Sequence, residues 1–275
     1  MQDEEAARAA WMDMNRQVSR AMLKHVKPCV TPITSALQDE TSELIGSGGY
    51  VEHDGRRLLV TAQHVATTLN QHSLAHRFHD SDNYYRVTQP FHAAPLPIDV
   101  AASPLEDHVW NHAPHKAWAF PQSRVAQAHA PFERELFFLI GFAGSRHYFS
   151  PAGKLMITPG TPYLTQEVAP PPEGRLVTHE HFDPAYHFAL EYLPEAAETV
   201  DEGAEPLPEN PKGFSGALVW NTRFVECTSL GQVWSPQEAV LTGTLWAWLT
   251  SDRCLLATRI EHAAGPLAAA SAAAV

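Results

Sequence analysis

The first apolar pattern in the chain has the period of a helix. Between residues 4 and 26, apolar residues recur at steps of three and four with polar residues in the gaps: Trp11, Met14, Val18, Met22 and Val26. This spacing puts them on one face of a helix, and Pro28 ends the pattern. We predict a helix packed on the outside of the main domain; a docking helix for a partner is the alternative.

From about residue 30 the pattern changes to short apolar runs separated by Gly, Pro, Asn and Asp. The stretch "IGSGGYVEHDGRRLLVTA" predicts two strands joined at Asp54-Gly55, because Asp-Gly is a strong hairpin signal. No long helical period follows, which favours an all-β barrel or sandwich over alternating strands and helices. The other predicted strands are "YYRVTQ", "ELFFLIGF", "HFALEYL", "GALVW", "VLTGTLWAWL" and "CLLATRI".

Two stretches rich in Pro and acidic residues, "EVAPPPEGR" and "PEAAETVDEGAEPLPENP", are typical of exposed loops. The final stretch, "GPLAAASAAAV", has low complexity and is predicted to be a flexible tail.

Composition and charge narrow the function classes. The 275 residues are 44% hydrophobic, enough for a sizeable core or a pair of cores. The net charge of −12, without a Lys/Arg cluster, argues against a nucleic-acid partner. No apolar run reaches the roughly 18 residues of a membrane span, and the acidic N-terminus lacks the apolar stretch of a signal peptide. The three cysteines are far apart in sequence and odd in number, whereas a secreted domain of this size would often carry several disulfides; we therefore expect a reducing compartment and predict a cytoplasmic protein.

Three local signals carry candidate chemistry. "LLVTAQHVA" puts His64 just after a strand, "LPIDVAAS" puts Asp99 at the head of an apolar segment, and "GFSGA" presents Ser215 between two glycines. A serine hydroxyl needs a nearby base to take its proton as it attacks a carbonyl, and histidine suits that task near neutral pH. A buried carboxylate fixes the imidazole tautomer and stabilises the imidazolium. We therefore predict a triad of Ser215, His64 and Asp99.

The glycine before the predicted nucleophile fits the same chemistry. Acyl transfer passes through a tetrahedral oxyanion that needs hydrogen-bond donors. The backbone N–H groups of Gly213 and Ser215 can both point at it if the loop makes a tight turn, which glycine permits. We predict an oxyanion hole formed by these two N–H groups.

The segments "GSGGYV…LLVTAQHV", "IDVAAS" and "GFSGALVW", in this order, resemble the trypsin-like serine peptidases of the chymotrypsin fold. The resemblance covers roughly residues 30 to 262 and is closest to the bacterial, disulfide-free branch that includes the HtrA-type peptidases. It implies an all-β fold of two six-stranded antiparallel β-barrels with the active site in the cleft between them, and a changeover between barrels near residues 115 to 130. The expected organisation is an N-terminal helix (1–27), a first barrel (28–120), a second barrel (121–265) and a flexible tail (266–275). No PDZ-like module is expected after the peptidase region.

The chain also departs from the family pattern. Phe214 stands where digestive members have an aspartate that pairs with a newly cut N-terminus, so activation of that type is not expected. Ala217 replaces a second glycine. By the resemblance, Glu209 would form the floor of the primary specificity pocket and favour Arg or Lys. The strand from Gly243 through Leu245 to Trp246 would form the pocket wall and pair with the substrate backbone.

The sequence also allows other assignments of its serine, acidic and histidine residues. Ser215, Asp252 and His262 occur in the order of an α/β-hydrolase triad, but that fold needs G-x-S-x-G and more helices. Asp80 and Asp82 are rivals to Asp99 in a segment typical of an exposed loop. The histidine pairs in "HRFHD" and "HEHFDPAYH" raise a metal hypothesis without an HExxH motif, and solvent-exposed loop histidines are the simpler interpretation.

The predicted function is a cytoplasmic serine endopeptidase that acts on protein or peptide substrates without a cofactor or metal. We expect a regulatory partner or signal to limit its activity, with the N-terminal helix or the acidic loop 195–210 holding the site closed. The alternative is a pseudo-peptidase that binds peptides without turnover.

Overall fold

The computed structural model describes residues 2–35, 42–70, 73–150, 155–171, 176–177, 180–197 and 206–273. It confirms the predicted all-β class with an N-terminal helix. The described helices are α1 Gln2–Val26, α2 Gln63–Thr67, α3 Asp107–His112, α4 Phe224–Ser229 and α5 Ala264–Ala272. Within the described part of the chain, no helix combines the length and the apolar character that crossing a membrane requires.

The predicted N-terminal helix forms α1, and its apolar face divides into a buried and an open part. Val18, Met22 and Val26 are fully buried and belong to the largest core cluster, whereas Trp11 is 45% exposed. Because the C-terminal half of α1 completes the core, this half of the helix is a structural element of the domain.

The N-terminal part of the described chain forms an antiparallel sheet of seven strands in the order β5-β4-β1-β2-β3-β7-β6. Its turn at Asp54-Gly55 has positive φ at both residues, as the predicted hairpin requires. The sheet curls, and its end strands β5 and β6 are not joined to each other, which differs from the closed six-stranded barrel implied by the resemblance. Its strands are β1 Val30–Ser35, β2 Leu44–His53, β3 Arg56–Thr61, β4 Leu74–His76, β5 Tyr85–Arg86, β6 His92–Ala94 and β7 Val100–Pro104.

The C-terminal part contains a closed barrel of six strands among the described residues, in the order β11-β14-β17-β16-β15-β8. Two short hairpins, β9–β10 and β12–β13, lie outside the barrel ladder. The strands of this half are β8 Leu136–Phe142, β9 Tyr148–Ser150, β10 Leu155–Ile157, β11 Gly160–Val168, β12 Leu176–Val177, β13 Glu180–His181, β14 His187–Glu191, β15 Leu218–Asn221, β16 Val240–Leu249 and β17 Cys254–Arg259.

The chain passes from the sheet to the barrel within a few residues. Phe120 bridges Val51 of β2, and Val125 bridges Leu241 of β16. One core cluster draws residues from α1, from both β halves and from α5, so the two halves share a hydrophobic interface.

The predicted flexible tail at 266–275 is wrong for residues 266–272, which belong to α5. Pro266, Leu267 and Ala270 are buried, and α5 packs along β7 and β6. Alanine has the highest helix propensity, and its small side chains let the helix lie close to the sheet. Ser271 Oγ donates to the His53 carbonyl at 3.2 Å and ties the helix to the end of β2. Residues 274–275 lie outside the described residues.

The burial of α1 gives a stability prediction. Met22→Ala removes a fully buried side chain from the main core and should lower the free energy of unfolding by about 2–5 kcal/mol. Lys24→Ala, on the exposed face of the same helix, should change it by less than about 0.5 kcal/mol. Denaturant titration measures both, and equal losses would contradict the role of α1 in the core.

Candidate functional site

A short helix presents His64, and a carboxylate from another strand caps that helix. β3 ends at Thr61, and α2 begins at Gln63 with no side-chain cap from its own N-cap residue, Ala62. Asp99 Oδ1 accepts the backbone N–H of His64 at 2.8 Å, while Gln63 N–H donates to the Asp99 carbonyl at 3.1 Å. These bonds satisfy N–H groups that the start of a helix leaves unpaired.

The second carboxylate oxygen holds the imidazole. Asp99 Oδ2 lies 2.6 Å from His64 Nδ1. The Asp99 side chain is fully buried, whereas 47% of the His64 side chain is exposed. The bond to Asp99 places a proton on Nδ1 and leaves Nε2 able to accept one, on a ring that remains accessible.

The backbone at Asp99 is specialised for this position. Asp99 directly precedes β7 and has φ 51°, a left-handed conformation that aspartate tolerates better than most residues. β3 and β7 pair with Thr61 opposite Ala101. This register brings the residue before β7 beside the helix after β3.

Close backbone approaches bring the loop of Ser215 to the same helix. Ser47 N–H donates to the Ser215 carbonyl at 2.8 Å. A Cβ at Gly216, where φ is +87°, would lie 2.1 Å from the Ser47 carbonyl oxygen and 2.2 Å from Thr61 Oγ1. Glycine at 216 therefore allows the loop to lie against the end of β3, just before α2.

Gly46 lies between Ser215 and Val65, the residue after His64. A Cβ at Gly46 would lie 2.7 Å from the Val65 side chain and 3.0 Å from the Ser215 carbonyl oxygen.

The Ser215 hydroxyl lies 3.5 Å from the Trp246 carbonyl, and the hydrogen bonds of the described residues include none between this hydroxyl and His64. Bonds of this kind are often long before substrate binds.

The two predicted oxyanion donors are open. Within the described chain, neither the N–H of Gly213 nor that of Ser215 donates to a protein acceptor, whereas the Phe214 N–H between them donates to the Pro211 carbonyl. Gly213 has φ +103°, and a Cβ there would lie 2.4 Å from the Phe142 carbonyl oxygen. Glycine is therefore required at 213 on steric grounds.

Ser47 was not identified from the sequence, and its hydrogen bonds hold the loop of Gly213 and Ser215 in place. Its hydroxyl donates to the Gly213 carbonyl at 2.7 Å and accepts the Phe142 N–H at 2.9 Å. A polar residue in the middle of the glycine-rich strand "GSGG" was the available signal. Ser47 is fully buried, and these bonds satisfy its hydroxyl.

Phe214 fixes the loop by packing. Its side chain is buried, and a Cβ at Gly141 would lie 2.4 Å from the Phe214 ring. Tyr192 contacts the ring edge-on, with centroids 6.3 Å apart. A hydrophobic side chain thus anchors this loop at position 214.

Of the four predicted substrate-binding residues, the wall residues Leu245 and Trp246 lie beside Ser215, whereas the wall residue Gly243 and the floor residue Glu209 do not. Leu245 exchanges backbone hydrogen bonds with Gly216 and Ala217, at 2.7 and 2.9 Å, and Trp246 presents its carbonyl to Ser215 Oγ. Gly243 lies inside the barrel, where a Cβ would meet the Phe188 ring at 2.7 Å. Glu209 is exposed, so it does not have the burial of a pocket floor.

Past Leu245, strand β16 has an open side in the described ladders. The β15–β16 pairing stops at Leu218 opposite Thr244, whereas β16 continues to pair with β17 as far as Leu249. In the described ladders, the backbone edge of residues 246–249 on the side away from β17 therefore has no paired strand, although β12 also contacts β16. An extended peptide can add as a strand at this free edge.

The contacts of Asp252, His262 and Asp80 do not support the other triad assignments. Asp252 accepts from Ser251 Oγ and His262 bonds the Ala185 carbonyl, so they do not form a triad with Ser215. Asp80 is exposed, and the hydrogen bond from Lys116 lowers the pKa of its carboxyl below the ordinary value.

Thiol and metal chemistry receive no support from the described side chains. Burial raises the pKa of the Cys254 thiol to about 11, which keeps it protonated. Burial likewise lowers the pKa of His76 to about 3, and its Nδ1 bonds the Tyr50 hydroxyl inside the sheet core, so this histidine is not a solvent-exposed loop residue. No group of three His, Cys, Asp or Glu suited to a metal ion occurs among the described residues; His179 of the second histidine pair lies outside them.

The sequence matches no protein-family model, and no curated protein matches it. Several solved structures are similar in outline. The active form of the Rv3671c protease from M. tuberculosis has 13% identity and a TM-score of 0.49, with 94% of this chain and 87% of that chain covered. The MamO protease domain from Magnetospirillum magneticum has 12% identity and a TM-score of 0.47, with 85% and 92% covered. Tobacco etch virus protease in complex with product has 10% identity and a TM-score of 0.41, with 84% and 72% covered. At these values, the roles assigned to residues here rest on the contacts within this chain.

The close approach at Gly216 gives a prediction. Gly216→Ala puts a Cβ into the Ser47 carbonyl and Thr61 hydroxyl at positive φ, so it should lower the free energy of unfolding by more than about 1–3 kcal/mol, the usual cost of backbone strain alone. Gly265→Ala, where a Cβ meets nothing within 4 Å, should cost less than about 0.5 kcal/mol. Thermal and denaturant unfolding compare the two, and a tolerated Gly216→Ala would contradict the packing described for this loop.

Proposed function

We propose that this chain is a trypsin-like serine endopeptidase with the triad His64, Asp99 and Ser215. One observation carries the proposal. A fully buried carboxylate binds both the backbone N–H and the Nδ1 of His64, on the helix whose start is packed against the Ser215 loop. Burying a carboxylate is costly unless its hydrogen bonds are satisfied. A histidine that served only as a surface residue would not require a buried carboxylate beside it.

The proposed reaction uses this geometry directly. Ser215 Oγ attacks the scissile carbonyl carbon as His64 Nε2 takes the hydroxyl proton. Asp99 stabilises the imidazolium, and the N–H groups of Gly213 and Ser215 bind the oxyanion. His64 then gives the proton to the leaving amine, which departs and leaves an acyl-enzyme. Water, deprotonated by His64, attacks the acyl carbonyl and restores the serine.

The free edge of β16 supports an extended peptide as the substrate class. A peptide added along residues 246–249 would run past Ser215 and place one of its carbonyls near the hydroxyl. The preference of Glu209 for Arg or Lys, inferred from the resemblance, gains no support from its exposed position.

Compartment and regulation belong to the same proposal. The three cysteines, all free and buried, suit a reducing cytoplasm. A partner or signal that limits activity stays a prediction. Removal of residues 1–27 would strip Val18, Met22 and Val26 from the core, so it would not test a closing role of α1 cleanly. Residues 198–205 of the acidic loop 195–210 lie outside the described residues.

A peptide-binding module without turnover is the second candidate. The absence of a Ser215–His64 hydrogen bond within the described structure is the observation that favours it. Labelling by a fluorophosphonate probe separates the two functions. We expect wild type to label and Ser215→Ala not to label, and mass spectrometry of the modified peptide should identify Ser215. Folded wild-type protein that remains unlabelled, while still binding peptides, would favour the module.

The two hydrogen bonds from His64 to the Asp99 carboxylate give a second test. Asp99→Asn puts an amide N–H against one of the two donors of His64 and disfavours the required tautomer, so labelling of Ser215 should slow by about 10⁴-fold. Asp80→Asn, an exposed control outside the site, should label at the wild-type rate. Labelling that is insensitive to Asp99→Asn, in protein shown to be folded by circular dichroism, would exclude Asp99 from the triad.

A further inference from the structure

The loop that carries Asp99 is held by two side chains of the barrel that carries Ser215. His187 on β14 lies opposite Thr258 on the neighbouring strand β17. His187 Nε2 is 2.7 Å from the Pro97 carbonyl oxygen, and Thr258 Oγ1 donates to the Ile98 carbonyl at 2.6 Å. A cross-strand pair thus binds the two carbonyls that immediately precede Asp99.

Two hydrogen bonds of His187 assign the roles of its ring nitrogens. The backbone N–H of Asp183 donates to His187 Nδ1 at 3.1 Å, so Nδ1 is the acceptor. Nε2 faces the Pro97 carbonyl and therefore donates to it. The ring is buried, and the Trp246 ring lies 4.7 Å away between centroids.

The loop is held from two sides: the bonds of Asp99 to His64 and Gln63 attach it to α2, and the His187 and Thr258 bonds attach it to the barrel. Ile98 and Asp99 donate their N–H groups to the Pro95 carbonyl, which shapes the loop internally but does not fix it to the barrel. Asp99 follows in a left-handed conformation that is sparsely populated and persists only where the surroundings over-determine it. The His187 and Thr258 hydrogen bonds restrain the backbone just before Asp99 from the barrel half of the site.

We infer that His187 and Thr258 are positioning residues that set the Asp99 carboxylate relative to His64 and couple the two halves of the site. This inference rests on the proposed function for its catalytic consequence, but the positioning itself does not depend on turnover. A displacement of about 1 Å in a catalytic geometry can cost about 10²-fold in rate.

The chain offers matched variants. His187→Gln retains an N–H donor near the Nε2 position, whereas His187→Asn retains an acceptor near Nδ1 for Asp183 but does not reach Pro97. Thr258→Ser keeps the hydroxyl, and Thr258→Val removes it with little change in shape. Thr242→Val is the control, because Thr242 is equally buried on β16 and its hydroxyl bonds His129 Nδ1 instead of the loop.

Two measurements report on the position of the Asp99 carboxylate. The first is the low-field proton NMR signal of His64 Nδ1–H, assigned with His64→Ala, which reports the 2.6 Å bond to Asp99. The second is the rate of fluorophosphonate labelling. We expect His187→Asn and Thr258→Val to shift or broaden this signal and to slow labelling by about 10- to 100-fold. His187→Gln, Thr258→Ser and Thr242→Val should stay near wild type in both.

The outcomes separate this inference from the proposed function. A shifted signal in Thr258→Val and His187→Asn, with no labelling even of wild type, would support the positioning role and reject the peptidase. An unchanged signal and labelling rate in folded Thr258→Val and His187→Asn would overturn the inference. A loss in Thr242→Val equal to that in Thr258→Val would also overturn it, since the effect would then follow from lost core stability. If His187→Asn does not fold, the Thr258 pair decides alone.

Discussion

The geometry of the candidate site depends on one buried aspartate, which accepts two hydrogen bonds at its carboxylate and a third at its backbone carbonyl. Asp99 accepts from the backbone and the ring of His64, and its own carbonyl accepts from Gln63. A bare carboxylate in this position would be strongly destabilising, so the start of α2 and the carboxylate stabilise each other. The orientation of the imidazole is therefore part of how this region folds, and the base needs no substrate to orient it.

The second constraint is steric and lies at three glycines. Gly46, Gly213 and Gly216 stand where a Cβ would meet backbone or side-chain atoms at 2.1 to 3.0 Å. Gly46 and Gly216 let the Ser215 loop approach the strands of the sheet, whereas Gly213 lets the loop lie against Phe142 on β8 of the barrel. The loop therefore packs backbone against backbone on both sides, and Ser47 supplies hydrogen bonds to it.

Much of this architecture could be predicted from local pattern, and the remainder could not for identifiable reasons. The period of α1, the Asp54-Gly55 turn and the runs that became β16 and β17 are local signals, and the structure bears them out. α5 was missed because an alanine-rich stretch resembles a frayed tail unless a surface buries it. Ser47 and the His187–Thr258 pair depend on strand register and on contacts across the cleft, which no local window contains. Glu209 was placed by analogy of position, and a differently shaped loop leaves it exposed.

The apolar anchoring of the Ser215 loop bears on how such a site would be controlled. Where an ion pair shapes this loop, forming or breaking a charge can switch the oxyanion donors on. Here the Phe214 ring against Gly141 and the bonds of Ser47 hold the loop, and neither depends on a free terminus or on a titrating group. Gly213 already has the positive φ that leaves its N–H unbonded to protein. If the site works as proposed, the His64–Asp99 pair and the two oxyanion N–H groups are already in place in this fold. Among the described contacts, none that holds the oxyanion loop involves a charged side chain, so control would act on access to the free edge of β16 or on the bonds from the barrel to the Asp99 loop.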